Sequence, residues 1–165
     1  MRPMRLFKRE IKDEKIIREI LEECDVVRLG CCDEEGMFIV PVNYGYEFET
    51  NGNKRKLRLY IHGAKEGRKA EAFAKDPAVA VEMDCRHEII TGDYTCSYSY
   101  AYRSIMGSGM IHLLTDKEEQ IHALMKIMEH MAPGAEIDFR PEMLERTAVF
   151  CIDVKEFTAK ERKNK

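Results

Sequence analysis

The sequence predicts a small, mainly antiparallel six-stranded β-barrel with flanking helices. Three observations carry that prediction. Short β-branched or alternating apolar runs recur along the chain, as half-buried strands require. Turn signals at Asp33-Glu34-Glu35-Gly36, Asn51-Gly52-Asn53 and Gly92-Asp93 join several of them. Hairpin turns also outnumber helical crossovers, which favours a closed antiparallel sheet over a doubly wound one.

The elements follow in order. Residues Met1 to Lys12 read as a basic arm lying on the surface or on a partner. Asp13 can cap a helix from Glu14 to Cys24, with Ile16, Ile17, Ile20 and Leu21 on one stripe and charge on the other face. The period then changes. Val26 to Cys32 and Met37 to Thr50 form the first two strands, and Pro41 lacks the amide that a central strand would need, so its segment belongs at an edge, a bulge or a ligand. Tyr44 and Tyr46 read as edge-strand surface tyrosines or as polar tips beside a ligand. Leu57 to His62 is the third strand and places Leu57, Leu59 and Ile61 on one face.

A helix follows from Lys69 and stops at Asp76-Pro77, and Ala78 to Cys85 is the fourth strand. The segment His87 to Tyr102 is aromatic, and most of its tyrosines are expected to pack on the sheet, with a partner surface as the other option. Arg103 to Leu114 is the fifth strand, where Gly107 and Gly109 mark a bulge or a close approach by ligand or backbone. Asp116 opens a helix containing Ile121, Leu124, Met125 and Met128, which ends at Pro133-Gly134. A loop with Pro141 leads to the sixth strand, Thr147 to Phe157, and the tail from Ala159 is expected to fray.

The 165 residues form one domain, residues 1–165, with 44% hydrophobic and 35% charged content. A net charge of −3 offers no basic field for nucleic acid. No run of about 18 apolar residues suggests a membrane span, and the first residues lack the apolar core of a signal peptide, so a cytoplasmic location is expected. The six cysteines are then expected to be reduced. Cys31 and Cys32 should face opposite sides of their strand. Cys85, His87 and Cys96 could in principle hold zinc, but no C-x-x-C pair supports them and no metal is expected.

The stretch His62-Gly63-Ala64-Lys65-Glu66-Gly67-Arg68-Lys69 carries the functional signal. A strand that passes through a glycine turn into a helix start exposes amides and the positive dipole end, where phosphate binds. Lys65, Arg68 and Lys69 stand at the helix end whose dipole disfavours cations, which a bound anion would explain. Basic residues in a first turn also often point simply to solvent.

With Val40-Pro41-Val42-Asn43-Tyr44-Gly45-Tyr46 and Tyr60 to Lys69 both placed, the sequence resembles the pyridoxamine 5'-phosphate oxidase-like FMN-binding split barrels, and within them the nitroimidazole-resistance proteins. The similarity extends to Glu82-Met83-Asp84, Tyr102 to Gly109 and Val149 to Ile152. The resemblance implies a homodimer with FMN at the subunit interface. Arg68 and Lys69 would hold its phosphate with Lys65 nearby, His62, Gly63 and Ala64 would line the flavin, and Val40, Pro41, Val42 and Asn43 would follow its ring. Ser104 matches a flavin-contacting polar position. Gly67 stands where the oxidase pattern has Ser, and no counterpart of the oxidase's C-terminal substrate region is present, so pyridoxamine phosphate oxidation is not expected.

The implied function is FMN-dependent reduction of a small substrate, in this branch a nitro group to an amine, with His62 as proton donor or substrate anchor. His62 could equally just order the loop. His112, His122 and His130 read as structural. Two other classes stay open: a flavin- or haem-binding carrier without turnover, and a bare interaction module whose cations meet an acidic partner.

Overall fold

The computed structural model describes residues 2–165. After a short turn at Phe7–Arg9 come β1 (Glu10–Ile11), α1 (Glu14–Glu23), β2 (Val27–Asp33), β3 (Gly36–Val42), β4 (Gly45–Asn51) and β5 (Lys54–Ala64). Then follow α2 (Arg68–Lys75), β6 (Ala78–Ile90), β7 (Ser99–Leu113), α3 (Lys117–Met131), α4 (Pro141–Arg146) and β8 (Thr147–Arg162).

All strands join one eight-stranded antiparallel sheet in the order β3-β2-β6-β7-β8-β5-β4, with β1 on β8. The class matches the expectation, but the strand count rises from six to eight. One added strand is β1, in the segment read as an arm, of which Met1 lies outside the described residues. The other comes from the division of Met37 to Thr50 at Asn43-Tyr44. There the Asn43 amide donates to the Asp25 carbonyl at 2.8 Å, and the wholly buried Tyr44 donates its hydroxyl to the Leu21 carbonyl at 2.6 Å. Tyr44 is therefore an anchor between sheet and α1, not a surface tyrosine.

This division closes the barrel. β3 and β4 are the two edges of the sheet, yet only Asn43 and Tyr44 separate them in the chain. The edges are joined covalently rather than by a hydrogen-bonded ladder. Pro41, opposite Arg28 on edge strand β3, costs no ladder bond on its open side.

Inside the curl, Leu29, Leu59, Met83, Ile105 and Ile152 are fully buried, and α1 adds Ile17, Ile20 and Leu21. Asp13 caps α1 by accepting from the Lys15 amide, as its sequence suggests. Helix α3 covers the outer face of β5 and β8, where Ala123 and Ile127 pack with Tyr60, Val149 and Cys151. Gly45 permits that approach, because a side chain there would meet the Ile127 backbone nitrogen at 2.4 Å. Gly107 and Gly109 similarly admit the β8 backbone.

Three further expectations change. Strands β6 and β7 continue through His87 to Tyr102 as a long hairpin arm, on which Tyr94, Tyr98 and Tyr100 are exposed rather than packed on the sheet. The C-terminal tail is ordered as β8 through Arg162, with Ala159 fully buried between β1 and β7. Residues 141–146 form α4, begun by a proline whose fixed φ suits a first helical position.

Candidate functional site

The anion-binding prediction rests on the link between β5 and α2. Helix α2 starts at Arg68, one residue earlier than its apolar pattern suggests, and its N-cap is Gly67 at φ 112°, where no side chain caps the first turn. That conformation suits glycine, and it leaves first-turn amides available. Gly63 sits at the end of β5. A Cβ there would lie 2.9 Å from the Lys69 ammonium, so Lys69 folds back over a strand end that has room for it because the residue is glycine.

Arg68 turns toward the β2–β3 hairpin. Its Nε and Nη2 donate to the two carboxylate oxygens of Asp33 at 2.6 and 2.9 Å, and its guanidinium lies 4.1 Å from the Phe38 ring centroid. The Arg68 guanidinium holds Asp33 below the usual carboxylate range, and the Asp33 carboxylate raises Arg68 in turn. Lys65 points elsewhere and lines a groove of about 450 Å³ with Leu113, Thr115 and Thr147. Arg68 and Lys69 thus bracket the ends of β2 and β5, while Lys65 stands beside a neighbouring groove.

His62 lies on the outer face of β5, opposite Val149. Its ring is solvent-accessible, yet the surrounding atoms lower its pKa by desolvation and the Lys69 charge lowers it further. A histidine below its ordinary 6.5 is neutral at pH 7 and can both donate and accept hydrogen bonds.

The remaining predicted residues divide by face. Val40 and Val42 point inward with Phe38 and pack partly buried against the core, whereas Pro41 and Asn43 are exposed. Ser104 belongs to the outer face of β7, paired with Asp84 and Lys160, in a groove of about 420 Å³ with Met106, Ser108 and Thr158. One chain therefore gathers His62 to Ala64, Arg68 and Lys69 at one end, joins them through Phe38 to Val40, and leaves Ser104 on a separate surface. Asp33 and Phe38 were missed because Asp33-Glu34-Glu35-Gly36 reads as a turn and nothing more.

Cys85, His87 and Cys96 do not assemble into a metal site. His87 bonds Asp84 at 2.9 Å and stacks on Tyr100. All six cysteines are free thiols, with Cys31 buried and Cys32 exposed as alternation requires.

Over residues 13–161 the sequence matches the family described as pyridoxamine 5'-phosphate oxidase. The chain belongs to that family. No curated protein matches it. Among solved structures, a candidate 5-nitroimidazole antibiotic resistance protein from Bacteroides thetaiotaomicron is 29% identical, with 92% of this chain and 86% of that one covered at a TM-score of 0.77. The flavocytochrome Anf3 from Azotobacter vinelandii is 20% identical, covering 98% of this chain and 72% of that one, with a TM-score of 0.77. A FAD- and haem-binding protein from Mycobacterium smegmatis is 15% identical, with 94% and 74% covered and a TM-score of 0.78. The latter two share the fold. As a member of the pyridoxamine 5'-phosphate oxidase family, the protein is a split barrel, and no helix among its described residues is long and apolar enough to cross a membrane.

Proposed function

We propose that the protein binds FMN at the β5–α2 turn, as a cytoplasmic homodimer with flavin at the subunit interface, and reduces small nitroaromatic or related compounds. The observation that carries this reading is the pair Arg68 and Lys69 at the uncapped start of α2 beside Gly63. Such a turn offers amides, a dipole end and two cations to a phosphate group. With Asp33 on its Nε and Nη2, Arg68 keeps Nη1 available for a phosphate oxygen.

In this reading Lys65 adds charge from the adjacent groove, His62, Gly63 and Ala64 line the ring, and Val40 to Asn43 run along its edge. Ser104 lies on the outer sheet face, so it serves a flavin held between two subunits. FMN supplies the electron transfer, and the protein supplies binding and orientation. His62, neutral at pH 7, hydrogen-bonds the substrate, and its imidazolium form, populated as pH falls, delivers a proton to it. The similarity to the nitroimidazole-resistance protein supports the substrate class, and free thiols suit a reducing compartment.

The test is an anaerobic screen of the flavin-loaded protein with a supplied reductant. Reoxidation of the bound flavin by nitroaromatic compounds is expected. Retained flavin with no turnover of any nitro compound overturns the reductase reading and leaves a carrier. The structural neighbours named for flavin and haem make that carrier the second reading. An absorption spectrum of the purified protein separates flavin from haem.

A further inference from the structure

A different group of side chains meets on the outer face of β7 and β8, beside α3. His112 stands opposite Cys151 in the β7–β8 register, and Asp153 follows two residues later on the same face. Their imidazole nitrogen, sulfur and carboxylate oxygen all lie within 4.8 Å of one another. They open onto a cavity of about 730 Å³ whose wall also carries Glu47, Asp116, Glu118 and Glu119, with Arg58 as its one Lys or Arg. Five carboxylates facing one guanidinium make this a cavity for a cation.

The sulfur supplies the second observation. Cys151 is only 3% exposed, and no hydrogen bond engages its sulfur among the described residues. A buried thiol with no hydrogen-bond partner at the wall of an acidic cavity is a donor that a bound metal cation would deprotonate.

We propose that His112, Cys151 and Asp153 form a binding site for a divalent cation of the zinc class. Thiolate and imidazole together select such an ion over magnesium or calcium, which prefer all-oxygen sites. Arg58 Nε holds Asp153 Oδ1 at 3.0 Å, which leaves Oδ2 turned toward His112 Nδ1 at 3.7 Å. The guanidinium thereby orients the carboxylate from behind, as outer-shell partners do. Metal–ligand distances of about 2.0–2.3 Å require the donors to draw together, and the exposed His112 has room to do so. Three protein ligands leave the fourth tetrahedral position to water. On binding, the Cys151 proton leaves to solvent and no group changes oxidation state.

Cobalt(II) tests the site. The full chain is stripped of metal under reducing conditions, with the exposed Cys32 and Cys96 replaced by Ser to remove competing thiols. Difference spectra against the metal-free protein cancel any flavin absorbance. One cobalt per chain is expected, with a thiolate-to-cobalt charge-transfer band that zinc abolishes. Cys151→Ser should eliminate the band, and His112→Ala, at an exposed position that leaves folding intact, should weaken binding at least tenfold. Absence of the band, its persistence in Cys151→Ser, or unchanged affinity in His112→Ala overturns the proposal.

Discussion

Asp33, the last residue of β2, holds one edge of the Arg68 guanidinium through two hydrogen bonds, accepting from Nε at 2.6 Å and from Nη2 at 2.9 Å. The carboxylate fixes the direction in which the guanidinium can still donate, while the Phe38 ring supports its face. Replacing both Arg68 and Lys69 by Ala should therefore weaken FMN binding by roughly a hundredfold or more, because charge-assisted contacts to phosphate are lost. Asp33→Asn should weaken it by about tenfold at most, since only orientation suffers. The two residues form one unit, so Asp33→Asn in an Arg68→Ala background should add almost nothing. Fluorescence titration with FMN measures all three, and full flavin retention in the Arg68/Lys69 double variant would remove the phosphate site.

Much of this arrangement was legible in the sequence, and the gaps have physical causes. The hairpin at Asn51-Gly52-Asn53, the stop at Asp76-Pro77 and the glycine turn before α2 are set by local backbone chemistry, and each lies where its residues predict. The division at Asn43-Tyr44 was not legible, because it depends on α1 offering the Leu21 carbonyl to a tyrosine 23 residues away in sequence. The charged tail reads as frayed for a similar reason. Its order comes from pairing with β1 and β7, and the nearly buried Arg103 sets its charge between Glu161 of that tail and Glu19 of α1. At the candidate site, the motif predicts Arg68 and Lys69 beside a glycine turn, but their distinct directions depend on Asp33 and on Gly63, which only the folded chain brings near.

His62 offers a pH-dependent reading of the site. Desolvation is the larger cause of its lowered pKa and Lys69 the second. Its imidazole should therefore titrate below 6.5 by NMR. Lys69→Ala should raise the midpoint but not restore it fully. If His62 delivers the proton as imidazolium, turnover should rise as pH falls through that midpoint, and His62→Gln should flatten the profile. As the unfolded chain takes up this proton first, His62 also favours folding above pH 6.5 and loses that contribution as pH falls through the lower folded value. A profile identical in His62→Gln would assign His62 to loop ordering alone.

Two glycines separate cofactor binding from stability. At Gly63 an added methyl meets the ammonium end of Lys69, a flexible tip that can move aside. Gly63→Ala should consequently keep the melting temperature within a few degrees while lowering FMN affinity, since Lys69 is displaced. At Gly45 the same methyl meets backbone atoms of Lys126 and Ile127 at 2.4 Å, which α3 cannot yield without shifting. Gly45→Ala should cost about 1–3 kcal/mol, the usual range for overpacking. Thermal melts paired with flavin titrations distinguish the two, and an equal loss of stability at both positions would deny Lys69 its freedom.

The outer face of the sheet carries an apolar patch that suits the proposed subunit contact. Met37 and Ile39 on β3 and Met106 and Met110 on β7 are 87%, 69%, 60% and 41% exposed, and the ladders through Gly30, Ala80 and Ser108 align them on one side of the sheet. Contiguous exposed apolar side chains of this kind mark interaction surfaces. Ser104 shares that face with Met106, so in the proposed reading this face would bring Ser104 to a flavin held by Arg68 of a second copy. Met106→Glu would place a charge in the middle of such a contact and should yield monomers by light scattering, with flavin affinity lost alongside. Arg68→Ala should lose flavin yet remain dimeric. The two phenotypes separate a damaged phosphate site from a broken interface, and a Met106→Glu protein that stays dimeric with its flavin in place would move the interface to another surface.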